Sequence, residues 1–288
     1  MKTINIFMSR LYYYLKEGTG IRLHGDYPTT GRSQVVDEKF VQNFFKKNKQ
    51  CLKGSPIYRG LEFDENYLYV EPSQYERVSA NTNNYYTLLM DNLPSWQKYP
   101  KRSKSIICTT SPLYAGSFGK LFQVYFEDNA KIGVCSAEDI WGSFFLFENL
   151  TDLNATLSRI FNHMAELMFT NPQTFKQLSE NLKNIDIFKR KNKDKTEIQI
   201  RKFYENKWRY LHDNFIQDYV KSPLSFMDYL NEKLSPSKNG FKLLKTGSEI
   251  QRKKEVWSDG NAIMIDVNID SSLNELHTQF RGFFSARA

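Results

Sequence analysis

Four short segments of this 288-residue chain carry residues whose type and spacing suit chemistry on a polar substrate. Tyr58-Arg59-Gly60 offers a guanidinium fork beside a glycine, where a backbone or a ligand can approach closely. Ile106-Ile107-Cys108-Thr109-Thr110-Ser111 ends an apolar run in three hydroxyls, able to orient a carboxylate or a ribose by short hydrogen bonds. Leu113-Tyr114-Ala115-Gly116-Ser117-Phe118-Gly119 follows directly, with Tyr114 and Phe118 as rings that can stack on a planar group. Lys253-Lys254-Glu255-Val256-Trp257 carries a carboxylate into a strand among lysines, whose charge favours its ionised form. Taken singly, each also has a plain structural reading. These are a surface arginine at a strand end, turn residues before Pro112, core filler under a short helix, and the charged edge of a strand.

These residues must be held by elements that the pattern of the chain predicts. Helical spacing of apolar residues marks 4–16 and 35–49, and 79–92 becomes helical toward Leu88 and Leu89. Residues 21–34 read as a loop and 62–78 as polar and turn-rich. Strand-like runs lie at 57–61, 105–111, 121–126 and 130–136, then at 241–245, 254–257 and, after the Asp259-Gly260 turn, 262–269. A short helix is predicted over 113–119. Between about 150 and 235 the spacing is almost wholly helical, so the layout is strands, a long helical block, then strands again. One interrupted domain accounts for this better than two in tandem.

Composition sets the outer limits. Forty Lys plus Arg against 32 Asp plus Glu give a formal charge of +8, which favours an anionic partner such as a nucleotide, a nucleic acid or an acidic protein. Lys98, Lys101, Arg102 and Lys104 form one basic patch upstream of the hydroxyl triplet. Lys189–Lys195, with Arg201, Lys202, Lys207 and Arg209, forms another among aromatic rings, read either as a nucleic-acid surface or as a solvated helix balanced by Glu197 and Glu205. Cys51, Cys108 and Cys135 are odd in number and far apart, so the expectation is reduced thiols and a cytoplasmic setting. His24, His163, His212 and His277 make no spacing for zinc, and no metal is expected. No stretch approaches the ~18–20 apolar residues of a membrane span, so no membrane partner is expected. The first residues read as a helix and not as a signal peptide.

The order strand Arg, Ser/Thr triplet followed by an Ala- and Phe-bearing helix, then Glu before a late strand resembles that of the Arg–Ser–Glu type ADP-ribosyltransferases. ICTTSPLYAGSFGKLFQVYF is similar to that family's triplet stretch, and KEVWSDGNAIMI to its glutamate stretch. The likeness covers roughly 54–145 and 240–268. It implies an α+β fold with a split β core made of 54–149 and 236–288, preceded by an N-terminal helical region, 1–53, and interrupted by a helical insertion, 150–235. It also implies NAD as donor, no metal, and a macromolecular acceptor, with the host cytoplasm as setting for an effector of the phage or bacterial kind.

Carried over, the resemblance gives Arg59, with Tyr58, Gly60 and Thr110, the phosphates and adjoining ribose of NAD. Thr109 and Ser111 would organise the cleft and support the catalytic carboxylate, and Tyr114 or Phe118 would border the nicotinamide. Glu255 would stabilise the oxocarbenium-like charge as nicotinamide leaves, and Lys253, Arg102 and Lys104 would face the acceptor. The chain departs from the pattern in three places. Thr109 stands where Ser is usual, the triplet and Glu255 are far apart, and Lys253 occupies the position where arginine-modifying members carry Glu or Gln. Glu249 and Gln251 lie close enough for a different register. Lys253 and the basic patches favour an alternative, a pentosyl or glycosyl transferase that uses a nucleotide sugar to modify DNA or RNA. A third reading is a non-catalytic module binding nucleic acid or protein.

Overall fold

The computed structural model describes residues 33–74, 85–144, 174–191, 219 and 221–269. The helix expected over 4–16, and most of the helical block expected between about 150 and 235, lie outside the described residues. The described chain is mixed helix and sheet. Its strands are β1 (Ser33–Val35), β2 (Tyr58–Leu61), β3 (Tyr67–Val70), β4 (Ile106–Thr109), β5 (Lys120–Phe126), β6 (Lys131–Val134), β7 (Lys242–Lys245), β8 (Glu255–Ser258) and β9 (Ala262–Asp266). Its α-helices are α1 (Glu38–Lys47), α2 (Tyr85–Asn92), α3 (Pro112–Gly116), α4 (Phe175–Lys191) and α5 (Phe226–Lys233). The chain divides into two compact units. One comprises Met1–Asn81, Lys98–Ile140 and Phe241–Ala288, the other Thr82–Gln97 and Trp141–Gly240. Residues 33–53 thus group with the strands, and α2 groups with the helical block.

In the first unit nine strands run in the order β1-β3-β9-β5-β2-β4-β8-β6-β7, each antiparallel to its neighbours. Two of them, β1 and β3, fall in the segments read as loop and as turn-rich. At the centre the sheet is nearly parted: β2 and β4 share one register pair, Tyr58↔Thr109. The five strands ending in β2 and the four beginning with β4 both contribute to one apolar core. That core takes Leu61, Phe122, Val124 and Met264 from the first group and Ile106, Cys108, Val134 and Val256 from the second. Alternation along β5 and β9 turns Tyr125, Ile263 and Ile265 to the opposite face, where Val41, Phe44 and Phe45 of α1 cover them. Asp37 caps α1 by accepting from Phe40 N at 2.8 Å. The Asp259-Gly260 turn closes no hairpin. It carries the chain from β8 in one group to β9 in the other, as the Glu127-Asp128-Asn129 turn does from β5 to β6.

Among the described residues, the second unit holds α2, α4 and α5. Asp186 on α4 accepts from the N-terminal amide of α5 (Phe226 N, 2.8 Å) and from the Tyr219 hydroxyl (2.6 Å). Lys189, one turn on, donates to the carbonyls of Tyr219, Ser222 and Leu224 at 2.9, 2.6 and 3.3 Å. The start of the Lys189–Lys195 basic run is therefore occupied in closing its own helix pair. Trp96 adds an indole N–H bond to Leu234 O at 2.9 Å.

Candidate functional site

The split between β2 and β4 gathers the segments singled out above. Tyr58, Thr109 and Glu255 form one row across β2, β4 and β8, a span of about 10 Å at the usual strand spacing. Glu249 instead accepts from Ser55 Oγ at 2.9 Å, and Gln251 is exposed before the strand begins. Of the three registers, only Glu255 stands opposite the triplet.

Glu255 is 3% exposed and held from three sides. Arg102 Nη2 donates to its Oε1 at 2.6 Å, the Cys135 thiol approaches the same oxygen at 3.7 Å, and Ile140 N donates to Oε2 at 3.4 Å. Arg102 is itself 0% exposed. Its position is set from β8: Tyr99 stacks on Trp257, the Trp257 indole donates to Pro100 O at 3.0 Å, and the 3-10 turn Arg102–Lys104 follows. The guanidinium lies 5.5 Å from the Trp257 ring centroid. Arg102 was expected at the acceptor. Burial removes it from any surface, and its partner is the carboxylate. Lys104 is half-buried on the same turn, whereas Lys253 is 66% exposed, 3.9 Å from Glu138, with a left-handed φ of 56° just before β8.

The triplet does local work rather than supporting Glu255. Thr109 Oγ1 accepts from Ser111 N at 3.1 Å, and Ser111 Oγ caps α3 by accepting from Tyr114 N at 3.4 Å. Thr110 Oγ1 accepts from Lys254 N and donates to Gln251 O, both at 2.9 Å, fixing the entry to β8. Support for the carboxylate comes instead from Arg102, Cys135 and Ile140, whose segments nothing in a linear motif connects to Glu255. The usable signal for Arg102 is its residue type: among lysines, the arginine is the cation suited to a buried pair.

Arg59 is buried and donates from Nη1 to Ile107 O, engaging a carbonyl of β4 where the sheet ladder is interrupted. It stands opposite Phe122, on the core face with Cys108 and Val256. Glu255, one residue before Val256, turns to the other face with Trp257. The two therefore flank the split from opposite faces and do not line one wall. Gly60 is needed by protein, not ligand: a Cβ there would lie 1.9 Å from Ala115 O of α3. Gly60→Ala should force α3 off β2 and lower stability by about 1–3 kcal/mol, measurable by denaturant unfolding.

Tyr58, Arg59, Gly60, Thr109, Ala115 and Phe118 surround a crevice of about 10 Å³, room for about one water. Phe118 lines it. Tyr114 does not, and its hydroxyl donates to Glu138 at 2.9 Å, which with partial burial raises the phenol's pKa.

No family model, curated protein or solved structure matches the chain.

Cys51 and Cys108 offer no competing nucleophile. Burial pushes Cys108 up to about 12, and burial together with the Asp128 carboxylate raises Cys51 further. At pH 8 the Cys108 thiol stays protonated. A thiol-specific reagent at that pH should therefore react with the native chain far more slowly than with the denatured chain, which should titrate all three cysteines. Among the described residues no cluster of His, Cys, Asp and Glu could hold a metal, and no helix is long and apolar enough to cross a membrane.

Proposed function

We propose that the chain is a transferase of the ADP-ribosyltransferase type, with a split β core of that kind, moving ADP-ribose from NAD to a macromolecular acceptor. The observation that supports this reading best is the adjacency of β2, β4 and β8, which carry Arg59, the hydroxyl triplet and Glu255 from distant parts of the chain. In the reaction the bond between the ribose anomeric carbon and the nicotinamide nitrogen breaks. Its electron pair leaves with nicotinamide, positive charge develops on the ribose, and the Glu255 carboxylate stabilises that charge. An acceptor nucleophile then bonds to the anomeric carbon and gives up a proton. Arg59 serves the donor's phosphates once they replace the Ile107 carbonyl as its partner. The crevice is too small for a dinucleotide, so admission requires displacement of α3, a five-residue helix capped by Ser111.

The test is incubation with NAD, following nicotinamide release by chromatography and acceptor mass by spectrometry on protein, DNA and RNA. A gain of one ADP-ribose supports the reading, and failure to bind NAD sinks it. The exposed Arg252 and Lys253 at the entry to β8 favour a second reading with nucleic acid as acceptor and a nucleotide sugar as donor. A pentosyl or glycosyl mass on DNA or RNA would select it.

A further inference from the structure

We infer a second binding site, for an adenine-type base, in a cavity on the β5 side of Tyr58. The inference does not rest on the transferase reading. The loops Lys53–Pro56 and Thr246–Ser248 meet back to back, with Ser55 N donating to Ser248 O at 3.3 Å. Gly54 and Gly247, at φ 76° and 82°, make the two turns that close this rim. Inside it is a cavity of about 410 Å³, within the range of small-molecule sites.

Tyr58, Gln123 and Ile265 form one cross-strand row in its wall. Most of the other polar side chains there are already engaged. Ser55 bonds Glu249 and Ile250, Thr246 donates to Glu127 O at 2.7 Å, and Asp266 is paired with Lys120 at 2.9 Å. The phenol of Tyr58 and the carboxamide of Gln123 are different. They are half-buried neighbours, and neither side chain has a hydrogen-bond partner among the described residues.

A carboxamide presents a donor and an acceptor side by side, the complement of adenine's N6 amine and N7. The Tyr58 ring beside it offers a stacking face, and burial raises the pKa of its hydroxyl so that it remains a donor at neutral pH. Asp266 in the cavity wall is already paired with Lys120.

Calorimetric titration with adenosine and with inosine tests this. Adenosine should bind, and inosine, which presents two acceptors on that edge, should bind at least about five-fold more weakly. Gln123→Leu should weaken adenosine by about five-fold or more, while Glu255→Gln should leave it within about two-fold. Where the leucine variant melts well below the parent, Gln123→Glu carries the same test, because its carboxylate lacks the donor. Absence of adenosine binding, equal affinity for inosine, or indifference to both Gln123 variants overturns the site. Loss of adenosine binding in a Glu255→Gln protein whose melting matches the parent's overturns it too. Failure of NAD turnover with adenosine binding intact would count against the transferase reading alone.

Discussion

Arg102→Met is expected to lower the unfolding free energy by about 3–5 kcal/mol, and the double variant Arg102→Met/Glu255→Leu to recover most of that loss. The single change leaves a carboxylate that is 3% exposed without the guanidinium 2.6 Å away. Its remaining donors, a thiol at 3.7 Å and an amide at 3.4 Å, are long contacts that replace little of the lost attraction. Glu255→Leu alone strands the opposite charge beneath Trp257 and should cost a comparable amount. Removing both charges together lifts the desolvation penalty of each, so the two single losses should be strongly non-additive. About 1 kcal/mol should persist in the double variant, because Ile140 N loses its acceptor. Urea unfolding of all four proteins supplies the cycle. Single variants whose losses simply add would mean that the pair is not coupled, and that Glu255 is held by its strand alone.

That pair also marks the limit of what the sequence makes legible. Strands β2, β4, β5, β8 and β9 are short apolar runs bounded by Gly, Pro or Asp-Gly, and local pattern suffices to find them. Strand β3, Tyr67–Val70, sits in a polar, turn-rich neighbourhood, and its pairing with β9 joins Leu68 to Met264, two thirds of the chain away. The Asp259-Gly260 turn shows the same limit, since local chemistry marks a turn but not which strands it separates. In the candidate site, the strands bearing Arg59 and Glu255 lie on either side of β4, and their local pattern says nothing of that order. The faces they use are fixed by strand alternation against a core that only the folded chain defines. Arg102 was hidden most completely. In sequence it is one cation among Lys98, Lys101 and Lys104, where a solvated face is the natural reading. Its partner lies 153 residues away.

Under the proposed transfer from NAD, Glu255→Gln should reduce nicotinamide release by about 10²–10³-fold while leaving NAD affinity within a few-fold, because that reaction would require the carboxylate only as positive charge develops on the ribose. Gln is nearly isosteric, and its one carbonyl oxygen can accept from Arg102 or from Ile140 N while the amide NH2 faces the other donor, so it retains more of the fold than Ala or Leu would. Activity must be compared where both proteins are fully folded, at temperatures below the melting transition of the variant. The expected signature is a fall in kcat with little change in KM, the pattern of an interaction made in the transition state. A fall in both that follows lost thermal stability would assign Glu255 a structural part only, as the anchor of Arg102. Arg102→Lys separates these outcomes further. It keeps a positive charge but gives up the planar fork, so a catalytic carboxylate that depends on orientation should lose turnover even where the fold survives. Turnover unchanged in Arg102→Lys and lost in Glu255→Gln would make charge, and not its aim, the property that the buried pair supplies.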